Sequence, residues 1–227
     1  MKEIIFRRIK IFAVSAVIIL CLSAEISGQS DTLVNPKQFL FPSFSKGTVA
    51  MKTSKDLYLI LNYNIATEKM VFIQKDKLFE LMNPEAVDTI YLNNSKFVLI
   101  GKTFYEVIDN GPLLLFIQHK GIVQPPAKTD PYGTVSQTSS TTSFSDLKVG
   151  SIIYDFNDPE LNIKRETIYW IIRNNSMESF KDATQLTKLF PDNKSDIKKY
   201  IRENNIKFDN KEDISKLVVY CNSLIKI

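Results

Sequence analysis

The chain has 227 residues, with 29 Lys or Arg against 25 Asp or Glu, which gives a formal net charge of +4 at neutral pH. Nucleic acids and anionic surfaces are bound by concentrated positive potential, so this balance predicts no nucleic-acid partner. Only seven glycines occur, and neither a G-x-G-x-x-G sequence nor a P-loop is present. Nucleotide cofactors are therefore not expected, and nothing else in the sequence calls for a cofactor.

Residues 1–28 have the pattern of a secretory signal peptide. Four basic side chains lie within the first ten residues, an uncharged apolar run follows from Ile11 to Leu22, and small residues come after it. The run is too short to cross a membrane, which takes about 20 apolar residues, so no transmembrane segment is expected after cleavage. We expect cleavage between Gly28 and Gln29, with a cut after Ala24 as the alternative. The mature chain would then be exported to the periplasm, the cell surface or the medium.

The two cysteines set the redox chemistry of the mature chain. Cys21 lies inside the apolar run behind Leu20, whereas a lipidated cysteine normally follows a small residue at the end of such a run. Only Cys221 remains after cleavage, so we predict no internal disulfide. The remaining 199 residues can bury enough apolar surface to fold without one.

Residues 29–122 are predicted to form a β-rich domain. Short runs rich in Val, Ile, Phe and Tyr alternate with turn residues, and connections this short favour an antiparallel meander, either sandwich-like or barrel-like. Predicted turns include Lys75 to Lys77, Asn93 to Ser95 and Gly101 to Lys102. The predicted strands lie near Thr48 to Lys52, Leu57 to Tyr63, Met70 to Gln74, Leu78 to Leu81, Val87 to Leu92, Phe97 to Ile100, Phe104 to Ile108 and Leu113 to His119.

The rest of the chain divides into a polar linker and a smaller C-terminal part, which makes the fold class α+β. Residues 123–146 are rich in Pro, Ser and Thr and predict a linker or loop. Residues 147–227 begin with two predicted strands, Ser151 to Phe156 and Thr167 to Ile172. Three helices are expected to follow, and whether the two parts share one core is left open by the sequence.

Capping residues and apolar spacing define the predicted helices. Ser176 is placed as the cap of a helix that Pro191 ends, and Asp192 or Ser195 opens the second helix. A capping box at Asn210 and Asp213 opens the third. The apolar stripe of the third helix comprises Ile214, Leu217, Val218, Cys221 and Leu224.

Several short stretches resemble a group of uncharacterised exported proteins from Bacteroidetes-type Gram-negative bacteria. The stretches include Phe44 to Val49, Leu61 to Asn64, Phe104 to Val107, Leu189 to Asp192 and Ile197 to Asn205. The resemblance implies export in a cell with two membranes, and it brings no activity, ligand or catalytic residue.

Candidate chemical groups are few, and each has a structural interpretation. His119 is the single histidine, and neither a metal site nor a nucleophile and base pair is predicted around it. Cys221 is interpreted as a buried core residue. Asp88, Glu106 and Asp109 lie on or near predicted strands, where two carboxylates of a hydrolase would have to converge. The basic group at Lys198, Lys199, Arg202 and Lys207 alternates with acids, which is typical of a solvated helix face.

Exposed aromatic side chains would be the strongest sign of a binding surface. Asn62, Tyr63, Asn64 and Tyr132 are the binding candidates, and no catalytic or metal-ligating residue is predicted. We expect an exported envelope or surface protein that binds an unknown protein or glycan without catalysis. The alternatives are a hydrolase that acts on a polysaccharide through Asp or Glu residues, and a structural component of an envelope complex.

Overall fold

The computed structural model describes residues 36–108, 114–124, 128–129, 135–136, 162–173 and 176–224. Within these ranges the fold is α+β, as predicted, with one ten-stranded antiparallel sheet, a separate two-stranded pair and three α-helices. The proposed signal peptide, Asp109, Tyr132 and the predicted strand Ser151 to Phe156 lie outside the described residues.

All eight strands predicted for the β-rich part are present. They are β1 (Ser45–Met51), β2 (Leu57–Asn64), β3 (Lys69–Gln74), β4 (Lys77–Glu80), β5 (Val87–Leu92), β6 (Ser95–Ile100), β7 (Thr103–Ile108) and β8 (Leu115–Gln124). The later elements are β9 (Lys128–Thr129), β10 (Val135–Ser136), β11 (Asn162–Arg173), β12 (Ser176–Phe180), α1 (Ala183–Leu189), α2 (Lys194–Glu203) and α3 (Lys211–Leu224).

The large sheet consists of two meanders joined side by side. Its strand order is β12-β11-β8-β7-β6-β5-β1-β2-β3-β4, and every described pairing is antiparallel. Strands β1 to β4 form the first meander, and β5, β6, β7, β8, β11 and β12 form the second. The pairing of β1 with β5 joins the two meanders.

Tight turns explain why the hairpins form where the sequence predicts them. Lys75 and Asp76 both have positive φ, as do Asn93 and Asn94, which is the conformation of the two-residue turns that match strand twist. Gly101 has a φ of 64°, a value at which the absence of Cβ removes the steric penalty. The predicted turns at these three places are therefore confirmed.

The sheet folds back on itself and encloses a first core. Strand β3 contacts β7 although four strands lie between them in the sheet. Tyr63 on β2 spans the interior, because its hydroxyl donates to the carbonyl of Phe104 on β7 at 3.2 Å. The buried members of the first core are Val49, Leu61, Tyr63, Ile65, Ala66, Met70, Val87, Ile90, Leu92, Phe97, Phe104, Val123 and Ile163.

The turn between β2 and β3 fills a gap in the sheet. Among the described residues, β7 and β8 pair only over three positions, up to Ile117 on β8. Beyond that point the Gly121 N–H donates to the carbonyl of Ile65, in the turn, at 2.6 Å. A Cβ at Gly121 would lie 2.9 Å from Cγ2 of Ile163 and 3.1 Å from the nitrogen of Ala66, so the close approach requires glycine.

The three helices cover the other end of the sheet and enclose a second core. Leu115 and Ile117 contribute to it from β8, and Cys221 is fully buried on α3 as predicted. The predicted cap of α3 is confirmed in part: the Asp213 N–H donates to Oδ1 of Asn210, while the Asp213 carboxylate accepts from Lys207 N–H. The buried members of the second core are Leu115, Ile117, Tyr169, Ile171, Phe180, Leu186, Phe190, Ile197, Ile214, Leu217, Val218 and Cys221.

The predicted helix start at Ser176 is wrong. Residues Ser176–Phe180 form strand β12, which pairs with β11, and the helix begins only at Ala183. Asp182 is the actual cap, since its carboxylate accepts from the Gln185 N–H at 2.8 Å. The apolar residues do recur at helical spacing in the sequence, but strand pairing with β11 overrides that local pattern. Helix α2 begins at Lys194, between the two predicted starts.

One sheet spans both predicted parts of the chain. Strand β8 extends to Gln124, five residues past its predicted end, and pairs with β11 over ten positions. Ile163 on β11 belongs to the first core, and Leu115 on β8 belongs to the second. The β-rich part and the C-terminal part are therefore packed together. None of the described helices is long and apolar enough to span a membrane.

Candidate functional site

Asn62, one of the predicted binding residues, is buried and bonds to the chain that precedes β1. Its amide nitrogen donates to the carbonyl of Phe41 at 2.9 Å, and its Oδ1 accepts from the Phe41 N–H at 3.2 Å. The amide also reaches the carbonyl of Ser43 at 3.3 Å. These bonds extend the side of β2 that β1 no longer covers, so the visible role of Asn62 is to hold this segment.

Asn64 and Tyr63 are buried as well, so the exposure expected for the three candidates is not found. Oδ1 of Asn64 accepts from the N–H groups of Ala66 and Thr67 at 2.9 and 3.1 Å, which closes the turn between β2 and β3. The Tyr63 ring stacks on Phe97 with centroids 5.9 Å apart. Burial raises the pKa of Tyr63 well above its usual value, so this phenol stays protonated.

A buried carboxylate cluster lies between the two cores. Glu106 on β7 is 4% exposed and belongs to the inward row Val49, Ile90, Phe97, Glu106, Ile117, Tyr169 and Phe180. Its Oε1 accepts from the Ser95 hydroxyl at 2.6 Å and from Nζ of Lys211 at 3.0 Å. Its Oε2 lies 2.7 Å from Nε2 of His119, which carries the proton because an ionised carboxylate only accepts. Each carboxylate oxygen is thus bonded.

The electrostatics of this cluster favour ionised Glu106. Burial raises the pKa of Glu106, but hydrogen bonds from His119, Ser95 and Lys211, together with the charge of His119, outweigh burial and bring the pKa to about 2. A general acid near neutral pH needs a raised pKa. The cluster therefore stabilises an ionised carboxylate that joins β6, β7, β8 and α3, and Glu106 lacks the raised pKa of a general acid.

Among the described residues, the carboxylates considered for glycoside hydrolysis do not form a pair. Asp88 is exposed, and its Oδ2 accepts from the Thr89 hydroxyl at 3.0 Å. Glu106 is buried and bonded as above. No group of three or more metal-ligating side chains occurs within the described ranges.

A second buried polar chain lies beside the turn between β2 and β3. The Gln118 amide donates to Oε1 of Glu68 at 2.5 Å, and its Oε1 accepts from the Trp170 indole at 3.0 Å. Tyr105 packs edge-on against Trp170, with ring centroids 6.1 Å apart. Because the bonds connect β8 with β11 and with the inserted turn, they support the closure of the sheet.

The sequence-predicted interpretations of two further features are confirmed. Burial raises the pKa of the Cys221 thiol to about 12, which removes thiolate reactivity at neutral pH. Lys198, Lys199 and Arg202 are exposed on α2, and Nζ of Lys199 lies 4.0 Å from Oε1 of Glu203. These three residues form a solvated helix face, whereas Lys207, the fourth member of the predicted group, is exposed in the segment between α2 and α3.

The most exposed aromatic residues of the described chain lie on the outward face of the central strands. Tyr58 on β2 is 79% exposed and Tyr91 on β5 is 51% exposed. Both are register partners of Thr48 on β1, so the three side chains form one row across three strands. Lys96 is the partner of Tyr91, and Lys46 is the partner of Ile60, which is also exposed. We call this surface the tyrosine face, which comprises Lys46, Thr48, Tyr58, Ile60, Tyr91 and Lys96.

Paired strands on both sides hold the tyrosine face in place. Strand β1 pairs with β2 and β5, while β2 also pairs with β3 and β5 with β6. Val49 and Ile90 point to the opposite side of the same strands and are fully buried in the first core. A surface built on such strands is held more precisely than one built on loops.

A smaller concave surface lies along α3. Two adjoining depressions of about 250 and 430 Å³ share Ser215 and Lys216 in their linings. The rings of Tyr200 and Tyr220 stack at the second depression with centroids 4.0 Å apart. Both tyrosines are only partly exposed, so this surface offers less aromatic area to a ligand than the tyrosine face does.

Together, the fold and surfaces define an α+β protein with one curled antiparallel sheet, a helical cover and an exposed aromatic face on its central strands. Comparison of the chain with protein-family models, curated proteins and solved structures finds no match.

Proposed function

We propose that this is an exported envelope or surface protein that binds a protein or glycan of the cell envelope through the tyrosine face, without catalysis. The single observation that carries the proposal is the exposure of Tyr58 and Tyr91 in one row on rigid central strands. Aromatic rings held in this way supply large contact area at little entropic cost, and they dominate the energetics of binding surfaces. Export rests on the sequence of residues 1–28.

The polar interior supports binding over hydrolysis. Glu106 is held ionised by three donors, and Asp88 is exposed and bonded to its neighbour Thr89. A glycosidase needs one protonated and one ionised carboxyl group across a cleft. The pKa of Glu106 is lowered to about 2, so Glu106 does not supply the protonated carboxyl group, and binding is the function that the geometry favours.

Envelope binding tests the proposal directly. The purified mature chain is incubated with washed envelopes from the cells that produce it, and the bound fraction is measured after sedimentation. We expect the native chain to be retained, while a Tyr58→Ala/Tyr91→Ala variant is retained at least tenfold less. Val219→Ala is the matched control, because Val219 is an exposed apolar residue on α3, away from the tyrosine face. No retention of the native chain, or equal retention of all three, would contradict the proposal.

Export is tested separately by intact mass. Protein isolated from its own cells should begin at Gln29, or at Glu25 if cleavage follows Ala24, and should be recovered outside the cytoplasmic fraction. A full-length cytosolic chain would contradict the proposed location.

A further inference from the structure

We infer that the ligand of the tyrosine face is an anionic glycan, a polysaccharide whose sugar rings stack on Tyr58 and Tyr91 and whose acidic groups contact Lys46 and Lys96. The inference rests on the proposed binding function and adds the ligand's chemical class to it. Its support comes from the spacing of the rings and from the two lysines.

The spacing of the two tyrosine rings suits a polysaccharide, which is a chain of sugar rings. Tyr58 and Tyr91 flank Thr48 across β1, so their strands are two spacings apart, which is about 10 Å. Both phenol rings are more than half exposed, whereas Thr48 between them is partly buried. A polysaccharide that crosses the strands can place the C–H faces of two of its sugars on the two rings. The Thr48 hydroxyl lies beneath the sugar between them.

The lysines of the face have no acidic partner in the part of the chain that the structure describes. Neither Lys46 nor Lys96 makes an ion pair or a side-chain hydrogen bond with another described residue, whereas Nζ of Lys69 lies 2.6 Å from Oε2 of Glu80 on the same face. Lys96 is directly paired with Tyr91 in the sheet. Two unpaired ammonium groups beside exposed rings provide the charge that a carboxylated or sulfated chain needs.

The acids nearest in sequence to the tyrosines lie toward the other end of the same strands. Asp56 comes just before β2, and its Oδ1 accepts from the Met51 N–H at 3.2 Å. Asp88 lies near the start of β5 and accepts from the Thr89 hydroxyl. Both acids therefore lie away from Lys46, at an end that also carries the exposed Lys52 and Lys55. The acidic groups of the bound glycan are placed over Lys46 and Lys96.

The composition of the face favours a glycan over other macromolecules. The core of a stable protein interface is depleted in lysine, whereas two lysines flank the two rings here. Single-stranded nucleic acid also stacks on aromatic rings, but it is bound by strongly basic grooves. The whole chain carries a formal net charge of only +4.

The test uses the mature chain and a defined set of polymers. Affinity electrophoresis or calorimetry measures binding to polygalacturonate, alginate, hyaluronate and chondroitin sulfate at low and physiological salt. Methyl-esterified polygalacturonate is the matched neutral ligand, because it keeps the sugar backbone and loses the charge. Polyglutamate is a polyanion that has no sugar rings to stack. Oligothymidylate is a polyanion that carries nucleic-acid bases.

We expect at least one acidic glycan to bind, with at least tenfold weaker binding to its neutral form and with affinity that falls as salt rises. Tyr58→Ala and Tyr91→Ala should each weaken binding about tenfold, by analogy with the loss of one stacked base. Lys46→Gln/Lys96→Gln should weaken binding to the acidic polymer and flatten its salt dependence. The control Lys198→Gln removes an exposed lysine of α2 and should change neither.

Each remaining outcome has a defined meaning. If none of the four acidic glycans binds while envelope retention persists and is abolished by protease, the partner is a protein; the glycan inference is then overturned and the binding function stands. Equal affinity for polyglutamate or oligothymidylate would also overturn it, since any polyanion would then suffice. Loss of both envelope retention and glycan binding in the native chain would remove the proposed function together with the inference.

Discussion

Polar and aromatic side chains are buried and bonded on the inward face of the central strands, whereas they are exposed on the outward face. On the inward face Glu106 is bonded by Ser95, His119 and Lys211, and Tyr63 donates to a backbone carbonyl. On the outward face Tyr58 is exposed and makes no such bond with another described residue. The polar groups that the sequence offers as candidates for chemistry are thus bonded within the fold. The face whose groups have no partner among the described residues is composed of Tyr, Lys and Ile residues.

One of the two largest expected effects of a single change is on the inward carboxylate. Glu106→Ala leaves His119, Ser95 and Lys211 without their acceptor, and breaking a buried pair in this way costs about 3–5 kcal/mol of unfolding free energy. Urea denaturation measures the change.

Glu80→Ala is the control for that measurement. It removes the exposed partner of Lys69, and such surface pairs contribute no more than about 1 kcal/mol. Equal costs for the two variants would show that the Glu106 cluster does not hold the two cores together.

The pH dependence of stability should report the same carboxylate. The pKa of Glu106 in the folded protein is about 2, below its ordinary value of 4.5, so folding stabilises the ionised form. This contribution, about 3 kcal/mol, is fully present above pH 4.5 and is lost as the pH falls toward 2. Glu106→Gln cannot titrate, so the stability gap between it and the native chain should shrink across this window. A gap that stays constant with pH would contradict the assignment.

A smaller effect is expected where the inserted turn meets β8. Gly121→Ala places a methyl group 2.9 Å from Cγ2 of Ile163 and 3.1 Å from the backbone nitrogen of Ala66. Overpacking of this kind costs about 1–3 kcal/mol. Thermal or urea unfolding of the variant measures it, and unchanged stability would mean that the turn does not pack against the strand at this point.

The smallest expected effect on stability is that of a substitution on the outward face, and it tests the difference between the outward and inward faces. Tyr58→Ala should change the free energy of unfolding by no more than about 0.5 kcal/mol, because the ring is 79% exposed. Tyr63→Ala in the same strand removes a fully buried ring and should cost about 3–5 kcal/mol. A large loss of stability in Tyr58→Ala would assign this ring to the core and remove it from the binding face.

Local pattern and turn chemistry were sufficient to predict much of the fold. Strand β5 matches its predicted bounds, and the Asn93–Asn94 turn follows from two residues that tolerate positive φ. The pattern failed at Ser176–Phe180, where pairing with β11 decides the structure. The union of the two meanders through β1 and β5 depends on strand pairing between distant segments, which no local pattern encodes.

The candidate site was harder to predict because the decisive strands are apolar on both faces. In β2 the alternation of Tyr58 and Ile60 with Leu59 and Leu61 does not show which set faces water. The register with β1 and β5 answers that question, since it puts Tyr58 and Tyr91 beside Thr48. The Glu106 cluster combines residues 95, 106, 119 and 211, whose separations in sequence exclude a motif.

The insertion of the turn between β2 and β3 against β8 has a kinetic consequence. Glu68 and Gln118 bond across 50 residues of chain, and Ile163, still later in sequence, closes the same core. Contacts this far apart in sequence make a chain fold slowly, because its loops must close before the contacts form. The chain is synthesised from its N-terminus, so the early hairpins expose an apolar side until β8 and β11 have been made. That interval is when a holding chaperone would be of most use to this protein.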